Sequence, residues 1–364
     1  MKAWVLDSLG GEFALRDVAP PEAPCAGVVV RMRATPMLSY LGAYVRGELP
    51  RYAPVEAPFT PGTNGVGVVD AVGPGVYHFA PGDRVLVNPL LVANEAVRDP
   101  AQILIGLTQI SPDAQALMRD WPSGTLREQA VFPASVLVPA EGLDALADER
   151  LATLGKFIVP FGGLRRGALQ AGETLVVHGA TGYFGSAAVL LGLALGASRV
   201  VAAGRNQAAL ERLRQAGGDR VLAVRMTGDV SVDSSALRAA CDGGADMAFD
   251  IVGRADSANG TLAALKSLRR GGRLVLMGSL GPSLPIDYNE LMINDWSLIG
   301  QFMYDRTAYP SLLNLVRAGL LDLGLVDVRR FALAELPQAI EAAATMSALD
   351  CTVVTMNPDP GQAE

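Results

Sequence analysis

Residues Glu173 to Ala203 read ETLVVHGATGYFGSAAVLLGLALGASRVVAA. The apolar run Thr174–His178 has the pattern of a buried strand, and it passes directly into Gly179, Gly182 and Gly185. A long segment rich in Ala and Leu follows, and Arg199–Ala203 reads as the next parallel strand. Glycines at such a turn allow a tight bend, close approach of a ligand to the backbone, and close helix–strand packing. The helix that starts there points free N–H groups at whatever fills the bend, and a diphosphate suits that field. Strand, glycine turn, helix and strand in this order make a mononucleotide-binding unit. With 40 glycines in 364 residues, a glycine trio alone is weak evidence, so the rest of the chain has to decide.

The length allows two domains, each able to bury a core. Half of the residues are hydrophobic, which fits a folded α/β protein and excludes a disordered chain. A net charge of -7 with no basic block argues against nucleic acid or an anionic membrane as partner. No signal-peptide core or membrane-spanning run is evident. Cys25, Cys241 and Cys351 are isolated from one another, so neither a disulfide framework nor a thiolate metal cluster is expected, and a cytoplasmic, reducing setting is the default.

Residues 1 to 150 carry short β-branched runs separated by Pro and Gly, among them Lys2–Asp7, Gly27–Ala34 and two Val-rich strands within Pro61–Leu91. This predicts a partly closed antiparallel barrel. The Val92–Ser123 lobe has helical spacing in its middle; Leu143–Leu154 reads as a helix, and Phe157–Gly167 as a crossing into the second domain. Further βα units follow, giving a parallel sheet of about six strands with helices on both faces. After Asp305 come a helix at 307–318, a strand at Val328–Leu333, a helix at Leu336–Thr345 and a strand at Cys351–Met356. The expected partition is 1–151 with 307–364 as one domain and 152–306 as the other, with PDPGQAE at the C-terminus frayed.

The end of the second strand of a mononucleotide unit faces the adenosine ribose, where a carboxylate selects a free 2′-hydroxyl. Here the chain reads VVAAGRNQAAL, with Gly204, Arg205 and Asn206 at the turn and no carboxylate before Glu211. Guanidinium geometry matches a phosphate monoester, so NADPH is expected over NADH. The alternative is a solvent-exposed Arg205 that merely opens a helix.

Taken together, Val30–Gly47, PGTNGVGVVDAVG (Pro61–Gly73), APGDRVLV (Ala80–Val87), GTLREQAV (Gly124–Val131), HGATGYFG (His178–Gly185) and GGRLVLMGSLG (Gly271–Gly281) carry a family likeness. The chain resembles the medium-chain dehydrogenase/reductase superfamily over essentially its whole length. The resemblance implies a GroES-like substrate domain, a Rossmann domain with the nicotinamide in the cleft, and a homodimer joined through Leu284–Met303. It marks Gly179, Ala180, Thr181, Gly182, Tyr183, Phe184, Gly204, Arg205, Asn206, Val252, Gly278, Ser279 and Phe302 as cofactor-binding candidates.

The departures from the family are informative. A zinc member has Cys where this chain has Leu38, a His-Glu pair in place of Thr63 and Asn64, and Cys or Asp in place of Lys156. Catalytic zinc needs three ligands of the Cys, His, Asp or Glu type, so no metal is expected. The structural-zinc cysteines of the family are missing from Val92–Ser123, and the only histidines are His78 and His178, the latter reading as a neighbour of the nucleotide loop.

Negative charge built on a substrate oxygen then needs protein donors. Tyr40 falls where zinc members place the proton-handling Ser or Thr. Lys156 falls where a zinc ligand would sit and can offset charge, and Asn64 can position either group or a water. Each has a plainer alternative: Tyr40 lining an apolar pocket, Lys156 solvated at a strand end, Asn64 forming a turn. Tyr44 and Tyr52 are further pocket candidates. The resemblance points first to a zinc-independent reductase of an activated C=C bond in an enone, enal or quinone. Next comes a ketone, aldehyde or imine reductase, and last a nucleotide-binding protein without turnover, as crystallins related to the family are.

Overall fold

The computed structural model describes residues 1–56, 58–253 and 255–356; the segment PDPGQAE lies outside them. The chain divides into two compact units. Of the described residues, one holds those in Met1–Gly155, Val328–Met346 and 351–356; the other holds those in Lys156–Asp327 and Ser347–Asp350. The chain thus returns to the first unit at Val328, later than the boundary expected at 307, because the helix Ala308–Arg317 groups with the second unit.

The first unit is built on a seven-stranded sheet centred on Gly27–Pro36. This strand pairs antiparallel with Gly65–Val72, with Gln129–Pro133 and with Asp350–Thr355 from the far end of the chain. Its Val28, Val30, Met32 and Ala34 line one buried face, and Val29 and Thr35 on the other face are buried too, leaving Arg31 exposed. The Val92–Ser123 lobe departs from its helical reading. It holds strands Gln102–Leu104 and Thr108–Gln109, paired in a three-stranded sheet with Leu90–Val92, and one short helix, Gln115–Asp120. Ile103 and Leu104 are buried within this small sheet, so local packing overrides a weak helical period.

In the second unit a six-stranded parallel sheet is made by β1 (Thr174–His178), β2 (Arg199–Gly204), β3 (Val221–Arg225), β4 (Ala245–Asp250), β5 (Leu268–Leu276) and β6 (Ser297–Gly300), in the order β3-β2-β1-β4-β5-β6. The order reverses between β2 and β4, on either side of β1, and such a switch point opens a crevice beyond the strand ends. The central residues Leu175, Val176 and Val177 are fully buried, which is why the strand reads as an unbroken apolar run.

Helices α1 (Leu154–Arg166), α2 (Tyr183–Ala194), α3 (Gln207–Gly217), α4 (Val230–Ala240) and α5 (Asn259–Lys266) connect or precede the strands. The α1 helix replaces the predicted crossing at Phe157–Gly167, while the helix expected at Leu143–Leu154 shrinks to Asp148–Ala152. An internal Pro160 and two glycines, Gly162 and Gly163, hide α1 from a propensity reading, but Phe157, Ile158, Phe161 and Leu164 are all buried. Burying that apolar content outweighs the cost of the internal proline, about 3 kcal/mol. Among the described residues no helix is long and apolar enough to cross a membrane.

Candidate active site

The glycine loop has the shape its sequence predicts. Gly179 adopts φ 86°, in the left-handed region that favours glycine. Its N–H and that of Ala180 both donate to the Ala203 carbonyl, at 3.1 and 3.0 Å, which fixes the bend against β2. A Cβ on Gly185 would stand 2.0 Å from the Gly179 oxygen, so only glycine lets α2 begin this close to β1. Gly182 precedes the helix without any side-chain cap, and Ser186 N–H to Gly182 O is the first bond of the helix. The amides of Tyr183, Phe184 and Gly185 therefore lie in the turn whose N–H groups have no intrahelical acceptor. A glycine cradle facing an uncapped helix start fits a dinucleotide diphosphate.

Three further strand ends meet this loop. Val252, just past β4, lies against Gly179, where an added Cβ would come within 2.9 Å of its Cγ2. Ser279 donates from its amide to the Val252 carbonyl at 3.2 Å, and a Cβ on Gly278 would lie 2.3 Å from that oxygen. Gly204 ends β2 under the Thr181 side chain. The loop thus gathers Gly179, Thr181, Gly204, Val252, Gly278 and Ser279. Tyr183 is buried, its ring edge-on to Phe184, and Asn206 caps α3 by accepting from Ala209 N–H. Phe302, beyond β6, is two-thirds exposed (67%).

Arg205 is exposed and has no hydrogen-bond or ion-pair partner among the described residues. Glu211, the next carboxylate, is occupied by Arg214 at 2.8 Å. Sequence reading missed a second guanidinium. Arg225 is the register partner of Gly204 on the neighbouring strand, and it too is exposed and unpartnered among the described residues. Only the parallel register of β2 and β3 brings residues 204 and 225 side by side, so nothing local in the sequence signals it.

In the first unit, Tyr40 directly precedes the short helix Leu41–Val45. Its ring lies 5.7 Å from that of Tyr52, which in turn is 5.6 Å from Tyr44. Burial, reinforced by Tyr52 and then Tyr44, pushes the Tyr40 phenol well above its ordinary pKa, so it stays a proton donor at physiological pH. Tyr44 is fully buried and donates to the Leu107 carbonyl at 2.5 Å, which makes it part of the core. Thr63 and Asn64 are buried side by side, with the Thr63 hydroxyl donating to Asn64 Oδ1 at 3.4 Å.

Lys156, in the second unit, is fully buried, which removes the solvated alternative. Its Nζ donates to Ala348 O at 2.7 Å and to Asp350 O at 3.3 Å, and stands 4.2 Å from the centre of the Tyr183 ring. Ala348 adopts φ 47°, a region costing a non-glycine residue roughly 1–2 kcal/mol. The Ser186 hydroxyl also donates to Ala348 O, and Ala348 N–H donates to Thr181 O at 2.9 Å. Segment Ser347–Asp350 is thereby pinned to the glycine loop. Among the described residues no three His, Cys, Asp or Glu side chains are grouped to hold a metal.

Two family models match the chain in succession: an alcohol dehydrogenase GroES-like domain over residues 26–142 and a zinc-binding dehydrogenase over residues 184–318. The chain belongs to the medium-chain dehydrogenase/reductase superfamily. As a member, it has the Rossmann-type NAD(P)-binding domain in its second unit and the GroES-like domain in its first. It is 27% identical over 353 residues to sorbitol dehydrogenase of Bacillus subtilis, covering 94% of this chain and 93% of that protein. A putative D-xylulose reductase of Agrobacterium fabrum is also 27% identical, with 89% and 90% covered. In fold it resembles 2R,3R-butanediol dehydrogenase from Bacillus subtilis, with a TM-score of 0.81 at 20% identity over 98% of this chain and 99% of that one.

Proposed function

We propose that this superfamily member is a metal-independent, NADPH-dependent reductase of a C=C bond conjugated to a carbonyl, as in an enone, enal or quinone. The observation that supports this reading is what stands at the positions of the metal ligands: Leu38, Thr63, Asn64 and Lys156, with the Lys156 ammonium turned to two backbone carbonyls. None of these is a ligand of the type catalytic zinc uses. A dinucleotide held by the loop of Gly179, Thr181, Val252, Gly278 and Ser279 would supply the hydride. Conjugation spreads the charge that hydride addition creates, so a neutral donor suffices. Tyr40, held protonated, donates a hydrogen bond and then its proton to the substrate oxygen, and Asn64 orients it or a water. The enol so formed passes to the saturated carbonyl by tautomerisation in water (a quinone ends as the hydroquinone), and Tyr40 takes its proton back from solvent. Lys156 contributes by holding Ser347–Asp350 against the cofactor loop rather than by touching substrate.

The names of the relatives favour a second reading, reduction of a ketone or aldehyde with Tyr40 as the acid. NADPH oxidation with 2-cyclohexenone, cyclohexanone and a quinone separates the two. Consumption with the enone or quinone and none with the saturated ketone is expected; the reverse supports carbonyl reduction, and tight NADPH binding with no consumption supports a protein without turnover.

The reading includes a homodimer through the outer edge of the parallel sheet. Among the described residues β6 pairs only with β5 in that sheet, and around it Tyr288, Met292, Ile293, Leu298 and Phe302 are exposed apolar side chains. An open edge with such a patch is a surface proteins cover. Light scattering should give a dimer mass for the native chain and a monomer for Ile293→Asp combined with Leu298→Lys. A native monomer would contradict this.

A further inference from the structure

His178 and Asp250 end the two adjacent strands β1 and β4, directly before the loops that carry Gly179 and Val252. The imidazole Nδ1 lies 3.2 Å from Asp250 Oδ2, with the side chains only 13% and 5% exposed. The same carboxylate accepts the Thr261 hydroxyl from α5, and its other oxygen accepts the Val252 amide at 3.0 Å. Main-chain bonds extend the tie: Ile251 N–H to His178 O at 3.2 Å, and Met277 N–H to Asp250 O at 2.9 Å. The buried carboxylate therefore joins the ends of β1 and β4 to α5, and the Asp250 main-chain carbonyl ties in the end of β5, so this one residue links the strand ends where Gly179, Val252, Gly278 and Ser279 stand. The ring also fits a gap kept open by glycine, since a Cβ on Gly260 would fall 2.3 Å from Nε2.

We propose that Asp250 and His178 are a protonation-dependent positioning pair for the dinucleotide site, so that affinity for the dinucleotide falls as the imidazole loses its proton. The inference rests on the reading of this loop as the dinucleotide site. With His178 protonated the pair is neutral overall; with it neutral, the buried carboxylate leaves a net negative charge beneath a loop that has to receive a diphosphate. Asp250 itself stays ionised throughout. Burial works to raise its pKa, but the hydrogen bonds from His178, Thr261 and the Val252 amide outweigh this and hold it below the usual carboxylate value. Of the elements packed against the ring, β4 brings Asp250, α5 brings Gly260 and Thr261, and β2 brings Ala203, and of these residues Asp250 carries the charge.

The test is direct titration of the full-length protein with NADPH by calorimetry, from about pH 5 to 8, the range in which histidine changes charge. Binding by the native chain is expected to weaken on the order of threefold to tenfold more across that range than binding by His178→Asn. The titration of the ligand's own phosphate is common to both proteins and cancels in their ratio. Binding near the middle of the range should also draw a proton from buffer, detected in buffers of different ionisation enthalpy, and the variant should draw correspondingly less. Should His178→Asn fold poorly, Asp250→Asn makes the same test, since it removes the carboxylate that the pair needs and the affinity is then expected to lose its dependence on pH. NADPH binding with the same pH profile in native and variant proteins would overturn the pair's role while leaving the site reading intact. Failure of the folded native chain to bind either NADPH or NADH at any pH would overturn both.

Discussion

Replacing Tyr40 by Phe should lower kcat by about 10²- to 10⁴-fold, the usual worth of a positioned proton donor, and leave NADPH affinity unchanged. The substitution keeps the ring contact with Tyr52 at 5.7 Å and loses the hydroxyl's hydrogen bond to Tyr52, so the stability cost should be only about 1 kcal/mol. Because burial raises the pKa of the phenol, its donor form persists past the pH at which a free phenol ionises. Loss of rate below that pH in the native enzyme should therefore trace to another group. Stopped-flow measurement of hydride transfer with a saturating enone checks the first point, and the pH profile of kcat the second. An unchanged rate in Tyr40→Phe would remove Tyr40 from the chemistry and leave Asn64 or a water as the donor.

Reversing the charge at Arg205 should be the most damaging change to cofactor choice. Arg205→Glu is expected to weaken NADPH on the order of 100-fold while NADH binds as well or better, because a carboxylate repels the 2′-phosphate and accepts from a 2′-hydroxyl. Arg225→Ala, at the register partner of Gly204, should weaken NADPH by about tenfold and leave NADH unaffected. Fluorescence titration with both dinucleotides reads this out. Equal loss for the two would mean that the guanidinium groups act on a feature NADPH and NADH share, such as the diphosphate, and would leave the preference for NADPH without its basis.

Much of the dinucleotide half was legible because its constraints are local. Gly179 and Gly185 are forced by a bend and a close approach within seven residues, and the apolar run of β1 announces burial on both faces. Residues whose roles depend on register or on distant chain were not legible. Lys156 finds its acceptors at Ala348 and Asp350, nearly two hundred residues on, so from sequence it reads as a free cation. Arg225 matters only because β2 and β3 run in parallel, and Asp250 only because β1 and β4 end level. The first unit was legible as a β-rich domain through its Val-rich alternation. Its Val92–Ser123 lobe was misread because the two short strands within it, of three and two residues, are too short to display a period of two.

The central claim, that protein side chains alone meet the charge made during reduction, is tested most directly by measuring metal content and NADPH oxidation on one sample before and after exhaustive chelation. The account predicts substoichiometric metal and full enone reduction throughout. Stoichiometric zinc in the freshly purified protein, with activity lost on chelation and restored by zinc, would contradict it.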